Sequence, residues 1–390
     1  MMNKTFNFSN SSLRAIIASI TTIGTVGIAL GMGTQLISLL MTEKGFSNSI
    51  IGYSGGVGGI ATIIAAALTA RIALYFGVVE SILIMMIIGS LSFLGFYFFE
   101  SIWIWFILRF TLHFAMTIIF ILSEFWINNA SPPHRRSLVI SIYAITLGLG
   151  FILGPMLLEK IGTQNFIPFG AGCLLIIIAI IPLLFAWKLS PKFQSKENTA
   201  FFSHILRVPT STIAALIYGA IQMGTLTLIT PFSLSIGYNK NETIHFMEIL
   251  ALGNILLLIP ISLISDYLKD KRYSLIGCAI LGLIGTLIIP QIAEHKLILM
   301  IDLFFLGGIP AGLYTIGLAQ LGEYLKGQEL AAANSAFIFC YGIGTLIGPA
   351  IIGQTMDILK PFGFSLSIAC FFSLYIILVL TQLIRKSNNS

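Results

Sequence analysis

Twelve runs of about 20 predominantly apolar residues follow one another along the 390-residue chain, and they constrain its fold more than any other feature. They lie near residues 15–40, 49–70, 79–99, 102–128, 138–158, 166–187, 209–236, 244–265, 273–293, 297–321, 334–356 and 362–384. At 1.5 Å per residue, a helix of that length crosses the hydrocarbon of a bilayer. In lipid each backbone N–H and C=O must be satisfied within the segment, so helices are the structure these runs can adopt. Only 9% of residues are charged, against about 25% in soluble domains. Lipid is therefore the solvent for much of this chain, and the expected fold class is an all-α membrane protein.

The longest polar link, Lys188 to Arg207, also carries Lys192, Lys196, Glu197 and His204 and divides the chain nearly in half. It predicts a first six-helix bundle over 1–190, a cytoplasmic linker over 191–207 and a second bundle over 208–390. Orientation follows from the cationic residues. With the N-terminus inside, fifteen of the 21 Lys and Arg fall on cytoplasmic segments, among them Arg14, Arg71, Arg135, Arg136 and Arg272. Five (Lys44, Lys160, Lys240, Lys296, Lys360) fall outside, and Arg109 lies within a span. Both termini are expected in the cytoplasm, with the chain in the cell (inner) membrane. The net charge of +6 is scattered in ones to threes, which is no nucleic-acid footprint. Cys173, Cys278, Cys340 and Cys370 sit in separate apolar runs without CxxC spacing. They read as small hydrophobes, not metal ligands or disulfide partners. No small-residue cleavage site follows a short apolar core near the N-terminus, so no removed signal peptide is expected.

The halves echo one another. Gly148-Leu-Gly-Phe-Ile-Leu-Gly154-Pro155 in the fifth run is matched by Gly342-Ile-Gly344-Thr-Leu-Ile-Gly348-Pro349 in the eleventh, 194 residues later. The same pattern in runs five and eleven implies parallel halves about an axis along the membrane normal. The second run carries Gly52, Gly55, Gly56, Gly58 and Gly59. Hydrophobicity gives little drive between helices in lipid, so small residues matter by letting backbones approach.

Span count, central loop and half-repeat together resemble the major facilitator superfamily over the whole chain. Within it the chain is most similar to YcaD-like bacterial transporters related to drug–proton antiporters. The residues that carry this are Arg109, Ser123-Glu124-Phe125-Trp126-Ile127-Asn128, Arg136, Tyr143 and the turn Asp266-Tyr267-Leu268-Lys269-Asp270-Lys271-Arg272. Leu112 and His113 stand where the family continues with glutamine and glycine. The resemblance implies twelve transmembrane helices in two pseudo-symmetric six-helix bundles. It implies that helix two packs on helix eleven and helix five on helix eight, so that Gly55 and Gly59 meet Gly344 and Gly348. Asp266, Lys269 and Arg272 would form a charged cytoplasmic turn, with Asp266 gating and Arg272 anchoring. Gly154-Pro155 and Gly348-Pro349 would permit bends; the family's helix-five motif is associated with exporters that exchange solute for protons.

The ionisable residues well inside the runs are Arg109, His113, Glu124, Glu248 and Asp302. A charge near the centre of a spanning helix costs at least about 2.5 kcal/mol unless paired or wet, so such residues face a cavity by default. Arg109, His113 and Glu124 fall on one stripe of the fourth helix, with His113 and Glu124 within about 20° on a helical wheel. Arg109 is expected as a fixed cavity charge that contacts an anionic group or Asp302. His113 is either a proton relay or simply hydrogen-bonded in place. Glu124 either pairs with Arg71 or Arg136 at a gate or handles substrate or protons. Glu248 and Asp302, near their helices' outer ends, are either solvated at the interface or in the cavity.

No HExxH or Walker A pattern occurs, which sets aside metalloprotease and ATP-driven readings. The expected function is proton-coupled efflux of a small organic solute by a monomeric carrier that alternates its access. The proton gradient is the expected driving force, with no cofactor. Uptake of a metabolite, and a receptor or scaffold role, are the alternatives.

Overall fold

The computed structural model describes residues 10–132, 136–191, 208–268, 270–325 and 327–388. Its helices are α1 (Asn10–Glu43), α2 (Asn48–Phe76), α3 (Val78–Phe98), α4 (Ile102–Ala130), α5 (Arg136–Ile161), α6 (Ile167–Ile178) and α7 (Ile180–Phe185). After the central link come α8 (Pro209–Ser235), α9 (Lys240–Tyr267), α10 (Lys271–Ile292), α11 (Lys296–Tyr324), α12 (Gly327–Ile358) and α13 (Gly363–Asn388). Among the described residues 12 spans are long and apolar enough to cross a membrane, and no strand occurs. The sixth span is broken between α6 and α7 at Ala179. Pro182 explains the break, because its ring collides with the carbonyl four residues back and it has no N–H to donate. One residue, Gly77, turns α2 into α3 at φ +96°, a conformation that favours glycine.

The chain separates into two compact units. The first comprises residues up to Gly33 together with Ile64–Lys196, and the second Thr34–Ile63 together with Glu197–Ser390. In the first unit α3 packs on α4 and α6. α5 lies against α1 at backbone distance: a Cβ added to Gly154 would stand 2.6 Å from Met32 N, and one on Gly150 would stand 2.7 Å from Gly27 Cα.

In the second unit the main packings are α8 on α12 and α9 on α11. A Cβ at Gly344 would fall 1.9 Å from the Leu216 carbonyl oxygen, and one at Gly348 would fall 2.2 Å from that of Ala220. The early part of α2 does pack on α12, with Gly52 against the Pro349 carbonyl and Gly353 Cα, but the expected glycine pairs do not meet. A Cβ at Gly59 would stand 2.5 Å from Leu346 N, and one at Gly55 would stand 2.6 Å from Thr227 Oγ1 and 3.1 Å from Pro349 Cβ. The expected meeting of Gly55 and Gly59 with Gly344 and Gly348 is thus corrected. Gly344 and Gly348 are taken up against α8, and α2 contacts another face of α12, where Gly342 and Gly353 meet it. In each half the repeated glycines hold the fifth helix to the first helix of that half. Gly148 is only partly buried, and Pro155 and Pro349 lie inside unbroken helices.

Candidate functional site

α4 places the strongest charge in the first unit. Arg109 is the eighth of its 29 residues and is completely buried. One turn on, His113 is 7% exposed and its Nδ1 lies 3.0 Å from the Arg109 carbonyl oxygen. A carbonyl can only accept, so Nδ1 donates to it; when the ring is neutral, Nε2 is the acceptor. Towards the other end of α4, the Tyr143 hydroxyl of α5 donates to the Phe120 carbonyl at 3.2 Å and lies 2.9 Å from Ser123 Oγ. Beside that tie Glu124 is exposed and, among the described residues, makes no ion pair. Arg71 is exposed as well. The stripe from Arg109 to Glu124 therefore exists on one continuous helix, its two ends about 22 Å apart.

The charged turn before α10 is a local network. Asp270 caps α10 by accepting from Arg272 N at 3.0 Å, and its carboxylate takes the Arg272 guanidinium by Nε (3.0 Å) and Nη2 (2.6 Å). Arg272 is only 8% exposed, so it is clamped to Asp270 and not spread in water as an anchor. Asp266 pairs with Lys271 at 2.7 Å. Lys269 lies outside the described residues.

Glu248 and Asp302 stand on different helices, with different partners. Glu248 Oε2 lies 3.1 Å from His245 Nδ1, one turn earlier on α9, near a helix end where Lys296 also bonds Glu242 at 3.0 Å. Asp302 of α11 faces α10, where its Oδ1 would stand 3.0 Å from a Cβ on Gly285; its Oδ2 is buried without a hydrogen bond among the described residues.

Sequence reading passed over Asp357, near the end of α12. Its carboxylate accepts from the backbone N–H groups of Asn48 (3.0 Å) and Ser49 (2.8 Å), the Asn48 side chain (2.9 Å) and the Ser49 hydroxyl. These N–H groups open α2 and would otherwise lack partners. The carboxylate therefore caps that helix from 308 residues away and meets the positive end of its dipole. Gln354 donates to the Tyr53 hydroxyl at 2.6 Å, and Thr230 donates to Gln35 at 3.1 Å. With the Lys240–Glu43 ion pair, these bonds explain why Thr34–Ile63 groups with the second unit. Only the pairing reveals this role: alone, Asp357 is one more acid at a helix end.

Comparison with known proteins fits this architecture. The profile of the Major Facilitator Superfamily matches residues 16–290 and, in a second match, 212–389. The chain is 22% identical to YfkF of Bacillus subtilis, an uncharacterised MFS-type transporter, over 85% of this chain and 86% of that one. It is 27% identical to the uncharacterised MFS-type transporter YcaD of Escherichia fergusonii, over 73% and 74% of the two chains. In fold it resembles the nucleoside transporter NupG (TM-score 0.76, 16% identity, 96% and 98% covered). It also resembles a D-xylose–proton symporter (TM-score 0.71, 14% identity, 95% of each covered). The chain belongs to the Major Facilitator Superfamily, as an integral membrane transporter for a small molecule that is similar to the YcaD-type members.

Proposed function

We propose that the protein exports a small organic solute in exchange for protons, by alternating access and as a monomer. Both termini lie in the cytoplasm and the membrane is the cell (inner) membrane. The observation that carries the coupling is the α4 stripe: a completely buried arginine, a histidine one turn away tied to its carbonyl, and an exposed carboxylate on the same face. A permanent charge inside a span is retained where it meets an anionic group or water. A carboxylate that alternates between an apolar wall and a cationic neighbour changes its proton affinity as it moves, and that links protonation to the carrier's state. The Gly-Pro motif shared by α5 and α12 supports export through its resemblance to proton-exchanging exporters.

Uptake is the second reading, favoured by the likeness of fold to a D-xylose–proton symporter. The two readings part in one experiment. Cells that express the protein should accumulate less of a transported compound than cells that lack it. In everted vesicles acidified inside, adding that compound should release protons. Higher accumulation in expressing cells would replace export with uptake, and solute flux without proton movement would remove the coupling.

A further inference from the structure

Near the middle of the second unit, three tyrosines from three helices form a triangle. The rings of Tyr218 (α8), Tyr314 (α11) and Tyr341 (α12) have centroids 5.4, 5.7 and 5.9 Å apart. Phe337 packs edge-on against Tyr314 at 4.9 Å. Tyr314 and Tyr341 lean on an apolar core of Val208, Ala215, Leu321 and Phe337 yet remain half-buried. Tyr218 is buried, while Tyr314 and Tyr341 keep part of their surface accessible.

Polar groups border the rings. The Tyr341 hydroxyl donates to Gln222 Oε1 at 2.9 Å, and Asn254 Nδ2 donates to the Gly307 carbonyl at 3.3 Å and to the Tyr218 hydroxyl at 3.5 Å. Gln222 is residue fourteen of the 27 in α8, and Asn254 is residue fifteen of the 28 in α9, so both amides lie at mid-span. Thr225 adds a second observation. It is 6% exposed, and its hydroxyl has no hydrogen-bond partner among the described residues. Other span threonines, such as Thr22, Thr62 and Thr69, return theirs to the carbonyl four residues back. Tyr218, Gln222 and Thr225 recur at steps of four and three, which puts them on one face of α8.

Packing alone does not call for these residues, because leucine or phenylalanine fills a mid-membrane core without polar groups to satisfy. Their chemistry does suit a ligand. Aromatic faces offer a stacking surface, while amides and a spare hydroxyl offer donors and acceptors that fix orientation. None of these side chains is ionised near neutral pH, so an ion placed here would lose its hydration without a counter-charge. Centroids under 6 Å apart leave no hole among the rings for an ammonium group; they present a surface and not a cage.

We infer that Tyr218, Gln222, Thr225, Asn254, Tyr314 and Tyr341 form a binding subsite for an electrically neutral, ring-bearing solute with hydrogen-bonding groups on its edge. This deepens the reading of the chain as a solute transporter and rests on it. The test uses the purified full-length protein and one ring in three charge states: nicotinamide (neutral), nicotinate (anion) and N-methylnicotinamide (cation). Cyclohexanecarboxamide, which keeps the amide and lacks the aromatic face, is the fourth probe. Titration calorimetry and thermal unfolding should show nicotinamide binding more tightly than the other three. Gln222→Ala and Asn254→Ala should each weaken it about tenfold, the effect of a lost buried hydrogen bond. Their unliganded unfolding temperatures, which should stay near that of wild type, separate a lost contact from a lost fold. Equal or tighter binding of either ion, no binding of nicotinamide, or wild-type affinity in both folded variants would overturn the subsite. Binding at equilibrium needs no translocation, so the two readings fail separately. Flux of nicotinate that ignores Gln222→Ala would sink the subsite and keep the transporter. Nicotinamide binding that depends on Gln222, without nicotinamide flux into proteoliposomes, would keep the subsite and count against transport through it.

Discussion

The polar stripe on α4 of the first unit differs in kind from the tyrosine–amide cluster of the second. α4 carries a buried arginine, a histidine and a carboxylate on one stripe, whereas α8, α9, α11 and α12 bring together tyrosines and amides with no formal charge. The repeat shows how this arose within one scaffold. At the offset of 194 residues, Gly150, Gly154 and Pro155 recur as Gly344, Gly348 and Pro349. At that same offset, Arg109 meets Leu303, Gln222 meets Ile28, Asn254 meets Ile60 and Tyr341 meets Leu147. The glycines that bring the first and fifth helices of each half to backbone contact are shared, and the polar groups are not. Packing is symmetric because every half must solve the same steric problem. The polar groups are free to differ because no shared steric demand fixes them: the α4 stripe is charged, while the tyrosine–amide cluster is neutral and the second unit's Asp302 and Glu248 lie elsewhere on α11 and α9.

The largest effect should come from the shared part. Gly348→Leu would drive a side chain into the Ala220 backbone, and Gly154→Leu would do the same to Met32 and Ile28. Backbone cannot rotate aside as a side chain can, so the cost should exceed the 1–3 kcal/mol usual for overpacking. Both variants should lose most of their folded, detergent-extractable protein, measured by size-exclusion chromatography. Gly148→Leu, at a partly buried position, should retain it. Normal yield from both Gly348→Leu and Gly154→Leu would break the symmetric half of the comparison.

Next comes Arg109, where the halves differ. Arg109→Lys keeps the charge but loses the planar fork, and Arg109→Ala loses both. Flux in proteoliposomes should fall in the order wild type, Arg109→Lys, Arg109→Ala, with the last at least about tenfold down at every pH, as for loss of a charged hydrogen-bond donor. Equal flux from all three would make Arg109 a structural residue.

Asp357→Asn should act more gently. An asparagine still accepts a hydrogen bond, but it loses the charge that faces the start of α2, an interaction worth about 0.3–1 kcal/mol. Asp357→Ala loses the cap as well, a further ~1 kcal/mol. Unfolding temperatures should drop in that order, and a maleimide probe on Ser47→Cys should react faster in Asp357→Ala. Unchanged reactivity would show that the Asp357 cap holds nothing in place.

How much of this was legible in the sequence depends on the range of the interaction. Spans follow from local hydropathy, and the structure places them within about four residues of the expected bounds, except that α1 begins at Asn10, α2 runs on to Phe76 and α12 begins at Gly327. The kink at Ala179 was legible in principle from Pro182. The α4 stripe was legible too, because helical periodicity alone puts Arg109, His113 and Glu124 on one side. Glycine partners were not, since Gly344 could meet any helix and only tertiary packing selects α8. Nor were Asp357, Gln222 and Asn254: the bonds that give them meaning cross 308, 119 and 53 residues of sequence.

The smallest effect on the fold, and the sharpest on mechanism, is expected at Glu124. It is exposed, among the described residues it makes no ion pair, and it lies about 22 Å along α4 from Arg109. Its replacement by glutamine leaves volume and helix propensity almost unchanged, so folded yield should match wild type. If Glu124 is where protons enter the cycle, Glu124→Gln removes the only state change that pH can impose there. Flux through the wild type should then vary with the pH imposed across the vesicle, while flux through Glu124→Gln should be flat. Affinity for solute, set elsewhere, should be preserved. His113→Gln provides the contrast on the same stripe: it keeps a hydrogen-bonding group but cannot be protonated. A flat profile in Glu124→Gln with a normal one in His113→Gln puts coupling at the exposed end of the helix. The reverse puts it beside Arg109, and a wild-type profile in both moves coupling off α4 and dissolves the contrast between the two units.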